Sequence, residues 1–483
     1  MAYRYGDRYQ TNLMPQSIDE YIAEDNPVRA YDAFVEALDF SSLGLEINPD
    51  KVGNSEYDPR SMLKLLVYGY SYGIKSSRKL ERECHHNLSF IWLMGGLKPD
   101  HKTIAEFRRN NKQALRKVLR QNARMCIKLD LIAGNVLFVD GTKIRANAGK
   151  ERSRDKGYYE KLIDGLNKRI EKLLADCEAT DRTEEHTSSY VAMNKELSKS
   201  QNLREKIREV LDTFSEETGP YVNQTDPDCR IMKSTQGKHT GYNIQSVVDD
   251  KQGLIVHTEA TVEFNDVNQF AKQINQAQDV LDKPCQVACA DAGYANTDEL
   301  ARIDEQGVKV IVPSQRQALH EEEGSFSKSH FSYDKERDCY ICPEGYPLFY
   351  RKFEKRKKHF VYQIRVKKIC LACKHYGKCT NAQSGRSLVR LHNEETKLKL
   401  EAQYEASYSQ EIYKRRKMKV ELPFGHIKRN LKTDCFHLRR KDGVQAETSL
   451  LATCFNMARM ITILGVGSLI EKLRRLRPVM VGA

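Results

Sequence analysis

Two aspartates each follow a short apolar run. Asp140 closes Val136-Leu137-Phe138-Val139 and leads into Gly141-Thr142-Lys143, and about 150 residues on Asp291 ends Val287-Ala288-Cys289-Ala290 and leads into Ala292-Gly293-Tyr294. Apolar runs of this length read as buried strands, so each carboxylate is expected at a strand's C-terminal tip. Carboxylate oxygens are hard ligands, and two of them on adjacent strands can share a divalent cation. A third acid, Glu421, lies in the basic stretch Tyr413-Lys414-Arg415-Arg416-Lys417-Met418-Lys419-Val420-Glu421. At helical spacing Tyr413, Lys417, Glu421 and Lys428 fall close to one face. Taken alone, an acid among so many bases also reads as a paired surface charge. Pro423 and Gly425 are expected to kink or end the helix just past it.

A second constellation is sulfur-rich. Cys339-Tyr340-Ile341-Cys342 and Cys370-Leu371-Ala372-Cys373 are two C-x-x-C pairs, with His375 and Cys379 close behind the second. A C-x-x-C turn puts two thiolates on one side of a tight loop, as a tetrahedral zinc site requires. Cys339, Cys342, Cys370 and Cys373 are the expected ligands of one structural Zn²⁺, with Cys379 or His375 as possible replacements; ordinary buried thiols are the other reading. Tyr340–Arg351 and His359–Arg365 read as short strands around them.

The elements that must position these groups can be read in outline. Residues 1–130 are mainly helical: Asp58 and Pro59 open one helix through Leu63, Leu65, Leu66 and Tyr70, and Pro99-Asp100 opens another toward Ile104, Phe107, Arg108 and Arg109. Polar faces at Ser76–Lys79 and Thr103–Arg109 suit a helix-turn-helix-like DNA reader, and equally a plain helical cap. After the strand to Asp140, residues 150–217 hold two sets of apolar residues at helical spacing, Leu162 to Leu174 and Leu203 to Phe214. They predict a helical hairpin turning near Asp181–Ser189, either a dimer or DNA-guiding arm or a decoration. Strands Tyr242–Asp249 and Leu254–Val262 flank a turn. A helix through Phe270 and Leu281, the strand to Asp291, a helix at Leu300–Ile303 and the strand Val308–Val312 follow. This order predicts a mixed five-stranded sheet with helices, its first three strands antiparallel and its last two parallel to the first.

Composition bounds the function. The 483 residues, 40% hydrophobic, suffice for two to four domains. The polar N-terminus MAYRYGDRYQ resembles no signal peptide. The apolar stretch Leu450–Leu464 is broken by Asn456 and Arg459, too short and polar for a bilayer. Thirteen cysteines, an odd number, favour a reducing interior over a disulfide framework. The expectation is a soluble cytoplasmic protein without membrane contact. The net charge of +13 is unevenly spread: Cys339–Ala483 carries 31 basic and 12 acidic residues, a net of +19, and the remainder a net of −6. Clusters at Arg351–Lys358, Lys414–Lys419, Lys428–Lys432, Arg439–Lys441 and Lys472–Arg477 point to a polyanion, nucleic acid first. A solvated helix face is the alternative for any single cluster.

Five motifs, in order, resemble the DDE transposases of bacterial insertion sequences, the cut-and-paste kind with a ribonuclease-H-like core. They are His101-Lys102-Thr103-Ile104 to Phe107-Arg108; Asp140-Gly141-Thr142-Lys143-Ile144 with Ala146-Asn147-Ala148; Asp226-Pro227-Asp228 with Gly241-Tyr242-Asn243-Ile244-Gln245; Asp291-Ala292-Gly293-Tyr294; and Glu421 with Pro423-Phe424-Gly425 and Lys428. The resemblance runs nearly end to end. It departs in the third acidic motif, where Arg416 lies five residues before Glu421 and Lys417 stands at the family's arginine position.

The resemblance implies a division into an N-terminal helical, DNA-binding domain (1–130), a catalytic core in two parts (131–149 and 218–335), the helical-hairpin insertion (150–217), a cysteine-rich, zinc-binding insertion (336–392), and a C-terminal helical part with the third acid (393–483). It implies that Asp140, Asp291 and Glu421 bind two Mg²⁺, or Mn²⁺, for DNA cleavage and strand transfer. Lys428, Lys417, Arg416, Tyr413, Lys143 and Arg429 are the implied DNA contacts. The implied partners are the terminal inverted repeats of the element, target DNA and a second copy of the chain, at a bacterial nucleoid. A host-retained nuclease of the same fold and a catalytically inactive zinc-containing DNA-binding protein are the alternatives.

Overall fold

A computed structural model describes residues 17–477 except 46, 48–55, 182–187, 213, 215–219, 235–236, 320–323 and 356–357. Among the described residues the first helices are α1 (Pro27–Glu36), α2 (Phe40–Leu43), α3 (Pro59–Ser71), α4 (Ser77–His86), α5 (Leu88–Leu93), α6 (His101–Asn110) and α7 (Lys112–Lys128). Strand β1 (Val136–Arg145) and the short β2 (Ser153–Arg154) lead to α8 (Lys156–Asp181) and α9 (Ser188–Asp212). Next are β3 (Val222–Asn223), β4 (Arg230–Ser234), β5 (Gly237–Asp249), β6 (Ile255–Thr261), α10 (Phe270–Leu281), β7 (Val287–Cys289), α11 (Thr297–Asp304), β8 (Lys309–Ile311) and α12 (Gln315–Ala318). The cysteine-rich segment holds β9 (Ser332–Asp334), β10 (Cys339–Ile341), β11 (Pro347–Glu354), β12 (His359–Ile364), α13 (Lys367–Leu371) and β13 (Ser387–Leu391). The last described helices are α14 (Glu394–Glu405), α15 (Ser407–Gly425), α16 (Arg440–Leu464) and α17 (Val466–Arg475). The architecture is mixed α/β, and the chain divides into two units. One is 1–266, 273–285 and 417–483; the other is 267–272 and 286–416.

The first unit is organised around β5. Its 13 residues pair antiparallel with β1 on one side and with β4 and β6 on the other. Register with β1 runs from Leu137↔Asp249 through Asp140↔Ser246 to Arg145↔Gly241. Asp140 therefore lies in the middle of a strand, not at its tip. The apolar run ends at Val139, but backbone pairing continues for five residues beyond Asp140 because β5 extends alongside them. Gly241 permits that approach, since a Cβ there would sit 2.6 Å from the Ile144 carbonyl oxygen. Strand β4, paired with β5, is an addition to the strands expected from the sequence.

Among the described residues strand β6 has no strand beyond it, and helix α16 covers its outer edge. Asn456 accepts from the Ile255 N–H at 2.9 Å and donates to the Ile255 carbonyl at 2.8 Å. Gln445 accepts from the Ala260 N–H at 2.6 Å and donates to the Thr258 carbonyl at 2.9 Å. Eleven residues separate these amides, about three helical turns, so both face the strand. Among the described residues no single helix is long and apolar enough to cross a membrane. The apolar stretch at 450–464 belongs instead to this core helix, in which Leu450, Leu451, Ala452, Phe455, Met457 and Met460 are buried.

The N-terminal helices start where capping residues stand. Asp58 accepts from the Arg60 N–H ahead of Pro59 in α3, and Asp100 accepts from the Thr103 N–H in α6. Arg108 is not on a polar face, as its sequence setting implies. It is buried, donating to the Tyr70 hydroxyl and the Lys75 carbonyl. Lys75 in turn donates to the Lys432 carbonyl and Thr433 hydroxyl. The fully buried Glu447 accepts the His437 and Leu438 N–H groups at 2.8 and 2.9 Å. Burial pushes the Glu447 carboxyl above the usual range, the two N–H donors and the Lys75 and Arg108 charges opposing that push.

Helices α8 and α9 pack as a hairpin around Tyr159, Leu166, Ile207 and Val210, and its base is clasped by the β2–β3 pairing. Leu174 and Leu203, placed on the apolar stripes by their spacing, are exposed. The turn expected near 181–189 falls largely outside the described residues.

In the second unit β7 and β8 are parallel, with α11 between them in sequence and α14 packed on β8, where Gln403 donates to the Val310 carbonyl. Strands β13-β12-β11-β10-β9 form a separate antiparallel sheet. The single strand expected over Tyr340–Arg351 is broken into β10 and β11 by a turn. Gly345, at φ +82°, donates to the Cys342 carbonyl, and Cys342 donates to the Tyr346 carbonyl.

Asn456→Leu leaves the Ile255 N–H and carbonyl dry and unpaired, and is expected to cost roughly 2–5 kcal/mol in denaturant melts. Glu447→Gln tests the raised carboxyl. The folded state holds that proton at a pH where the unfolded chain releases it, so this contribution to stability is complete below the unfolded value and is lost as pH rises through the folded one. The variant's melting temperature should lack that decline.

Candidate nucleic-acid interface and carboxylate site

In the first unit Asp140 and Thr142 share one face of β1, because successive side chains on a strand alternate. Lys428 reaches this face: its Nζ donates to Thr142 Oγ1 at 2.6 Å. Burial lowers the Lys428 pKa, and the Asp140 charge pulls it back up. The lysine thus stands within electrostatic reach of the aspartate. It is carried by a π-helical turn, His426–Asn430, that follows α15 directly. Pro423 lies inside α15 without ending it, and the helix runs to Gly425 before its winding widens.

Beside this face is an open cavity of about 250 Å³, with Thr142, Lys143, Arg145, His239, Lys428 and Asp434 among its walls. Lys143 Nζ is held by the Lys233 carbonyl at 3.0 Å. Arg145 and His239 had no distinguishing motif in the sequence; only the pairing of β1 with β5 brings them here. Glu421 is exposed on α15, as is Arg429 beyond it. The neighbouring Lys419 donates to the Asp250 carbonyl, which ties this end of the helix to the β5–β6 turn. Asp249 shapes that turn by accepting from the Gly134, Ala133 and Lys251 N–H groups.

In the second unit Asp291 does follow a strand end. It caps a 3₁₀ turn, Ala292–Tyr294, by accepting from the Gly293 N–H at 2.8 Å, and its side chain remains 41% exposed. Arg416 Nη2 lies 4.0 Å from Asp291 Oδ2. The Arg416 guanidinium lies 5.6 Å from the centre of the Tyr413 ring, which packs edge-on against Tyr404. Burial raises the Tyr413 pKa; the Arg416 charge opposes this and the Asp291 charge adds to it. Lys417, which the motif spacing puts at the arginine position, is exposed. Arg416 is the residue that meets the aspartate.

The sulfur groups also differ from their expected pairing. Cys339 is buried in β10, opposite Phe349 and Asp334. Cys342, Cys370, Cys373, Cys379 and His375 all line one small cavity. Among the described residues no three His, Cys, Asp or Glu side chains are gathered closely enough to hold a metal ion.

Two family matches bear on the chain. Residues 16–110 match a family described as a transposase domain, and residues 341–461 match one described as a transposase DDE domain. The second match contains Glu421 and Lys428; Asp140 and Asp291 lie outside it. No curated protein matches. Among solved structures, the cryo-EM structure of a piggyBac transposase synaptic complex with hairpin DNA aligns over 94% of this chain and 79% of that one, at 10% identity and a TM-score of 0.35. A likeness that low leaves the fold to be argued from this chain itself.

If Lys428 meets a phosphate, Lys428→Met removes one counterion-releasing contact. The slope of log Kd against log salt for duplex DNA should fall by about 0.9. An unchanged slope would place Lys428 away from the nucleic acid.

Proposed function

We propose that the chain, whose residues 16–110 and 341–461 match a transposase domain and a transposase DDE domain, is a DDE transposase that binds the ends of an insertion sequence, cuts there, and joins the freed 3′ ends to target DNA. The catalytic carboxylates are Asp140, Asp291 and Glu421, on a core of ribonuclease-H-like type. Support for that core comes from the antiparallel β1, β5 and β6 and the later strand-helix-strand unit of β7, α11 and β8. The observation that carries the assignment is Lys428, a basic residue of the matched DDE segment, bonded to Thr142 and facing Asp140.

The donor chemistry fits Mg²⁺ or Mn²⁺. Three carboxylates supply only hard oxygens, with no soft or nitrogen ligand among them. Bound divalent ions, two by this reading, would supply Lewis acidity at the scissile phosphate. The chain's own groups do the rest. Lys428 neutralises a phosphate oxygen near Asp140, and the Thr142 hydroxyl fixes where its ammonium points. Lys143 extends the positive surface along β1. Arg416, steadied over the Tyr413 ring, offers a planar fork beside Asp291 that a lysine could not replace. No side chain serves as a nucleophile. Two element ends must be cut together, so at least two copies act on the DNA.

Incubation of purified protein with labelled element ends and Mg²⁺ tests this. Wild type should cleave, while Asp140→Ala, Asp291→Ala and Glu421→Ala should bind DNA without cutting; cleavage surviving in either aspartate variant sinks the assignment. Arg416→Ala should slow cleavage by roughly 10²-fold. Lys417→Ala should change the rate little, and the reverse order would restore Lys417 to the arginine role.

A further inference from the structure

We propose that Cys342, Cys370, Cys373 and Cys379 form a tetrahedral zinc site that staples the cysteine-rich sheet, and that Cys339 has no part in it. The four side chains share the walls of a cavity of about 40 Å³, room for one ion, and Cys339 does not border it. Strand geometry separates the two members of the first C-x-x-C pair. Cys339 is paired within β10, whereas Cys342 lies beyond the strand, at the head of the Gly345 turn. The other three thiols come from α13 and the loop after it, so a shared ion would cross-link two segments of chain.

The surroundings suit thiolates. The His375 N–H points to Cys373 Sγ and the Arg386 N–H to Cys370 Sγ, each at 3.5 Å. Donation of this kind favours the charged sulfur. Gly385 lies against Cys370 at φ +80°, and a Cβ there would stand 2.5 Å from Ile364 and 3.4 Å from the Cys370 sulfur. Zinc with four thiolates carries a net charge of −2, and Arg386 answers it, its guanidinium anchored on the Cys379 and Phe326 carbonyls. His375 is otherwise engaged: its Nε2 meets Glu344 at 3.1 Å and its ring packs on Phe326.

The sheet also needs a staple. Its core consists of Phe331, Tyr340, Leu348, Tyr362, Ile364 and Leu388, with Cys342, Cys370 and Cys379 packed at the margin. Six buried side chains are few for five strands, and modules of that size usually rely on a metal or disulfides. Among the described residues no three ligating side chains stand close enough to hold an ion unaided, so zinc would draw the four sulfurs together, each thiol releasing its proton to solvent. Four thiolates leave no open coordination position, so the site is structural.

The test is metal analysis of the full chain purified without chelators. Wild type and Cys339→Ser should each carry about one zinc, and Cys379→Ser should carry less than about a tenth of that. If Cys379→Ser does not fold, alkylation mapping of wild type decides. Cys342, Cys370, Cys373 and Cys379 should be shielded together and become reactive on chelation, with Cys339 unchanged. Zinc lost from Cys339→Ser but kept by Cys379→Ser would overturn the proposal, as would a zinc-free chain whose peptide map shows disulfides among the four. These readouts are independent of DNA cleavage, so they stand apart from the transposase reading.

Discussion

An edge strand inside a protein has to find partners for its outer row of N–H and carbonyl groups, and the first unit solves this with a helix instead of another strand. Gln445 and Asn456 of α16 bond the backbone of β6 in the way a neighbouring strand would. The solution terminates the sheet and blocks edge-to-edge association. It also fixes α16 in register with β6, and through β5 with β1. Asn122 of α7 joins by accepting from Asn456, so the N-terminal helices are held to the same frame. Side-chain amides can do this only when every donor and acceptor is matched, which is why the arrangement tolerates little sliding.

The basic and acidic groups of interest gain definition from their near neighbours. Lys428 would be one more surface lysine without Thr142 to hold it and Asp140 to draw its charge. Arg416 gains direction from Tyr413, which is itself backed by Tyr404. In both cases a long cationic side chain, costly to order, is positioned by a shorter and stiffer neighbour.

Much of this was legible in the sequence where one physical signal dominated. Asp58-Pro59 and Pro99-Asp100 announced their helices through capping chemistry, and the apolar run before Asp140 announced its strand. The misreadings share a cause: a local signal stopped before the structure did. Apolarity ends at Val139, while hydrogen bonding runs on to Arg145 because a distant strand lies alongside. Positions three and four residues after Tyr413 fall on the same helix face, so spacing could not choose Arg416 over Lys417; burial chose. The C-x-x-C pattern groups Cys339 with Cys342, while strand pairing holds the first and a turn the second. Arg145, His239 and the covered edge of β6 depend on contacts far apart in sequence, beyond the reach of periodicity.

The π-helical turn at His426–Asn430 has a consequence for how the third motif can vary. A wider turn fits extra backbone into a helix without unwinding what precedes or follows it. Residue counts from Glu421 to Lys428 are therefore a poor ruler of the distance between them in space. Helix winding acts as an adjustable joint, and a relative could gain or lose a residue here while its lysine kept the same bearing.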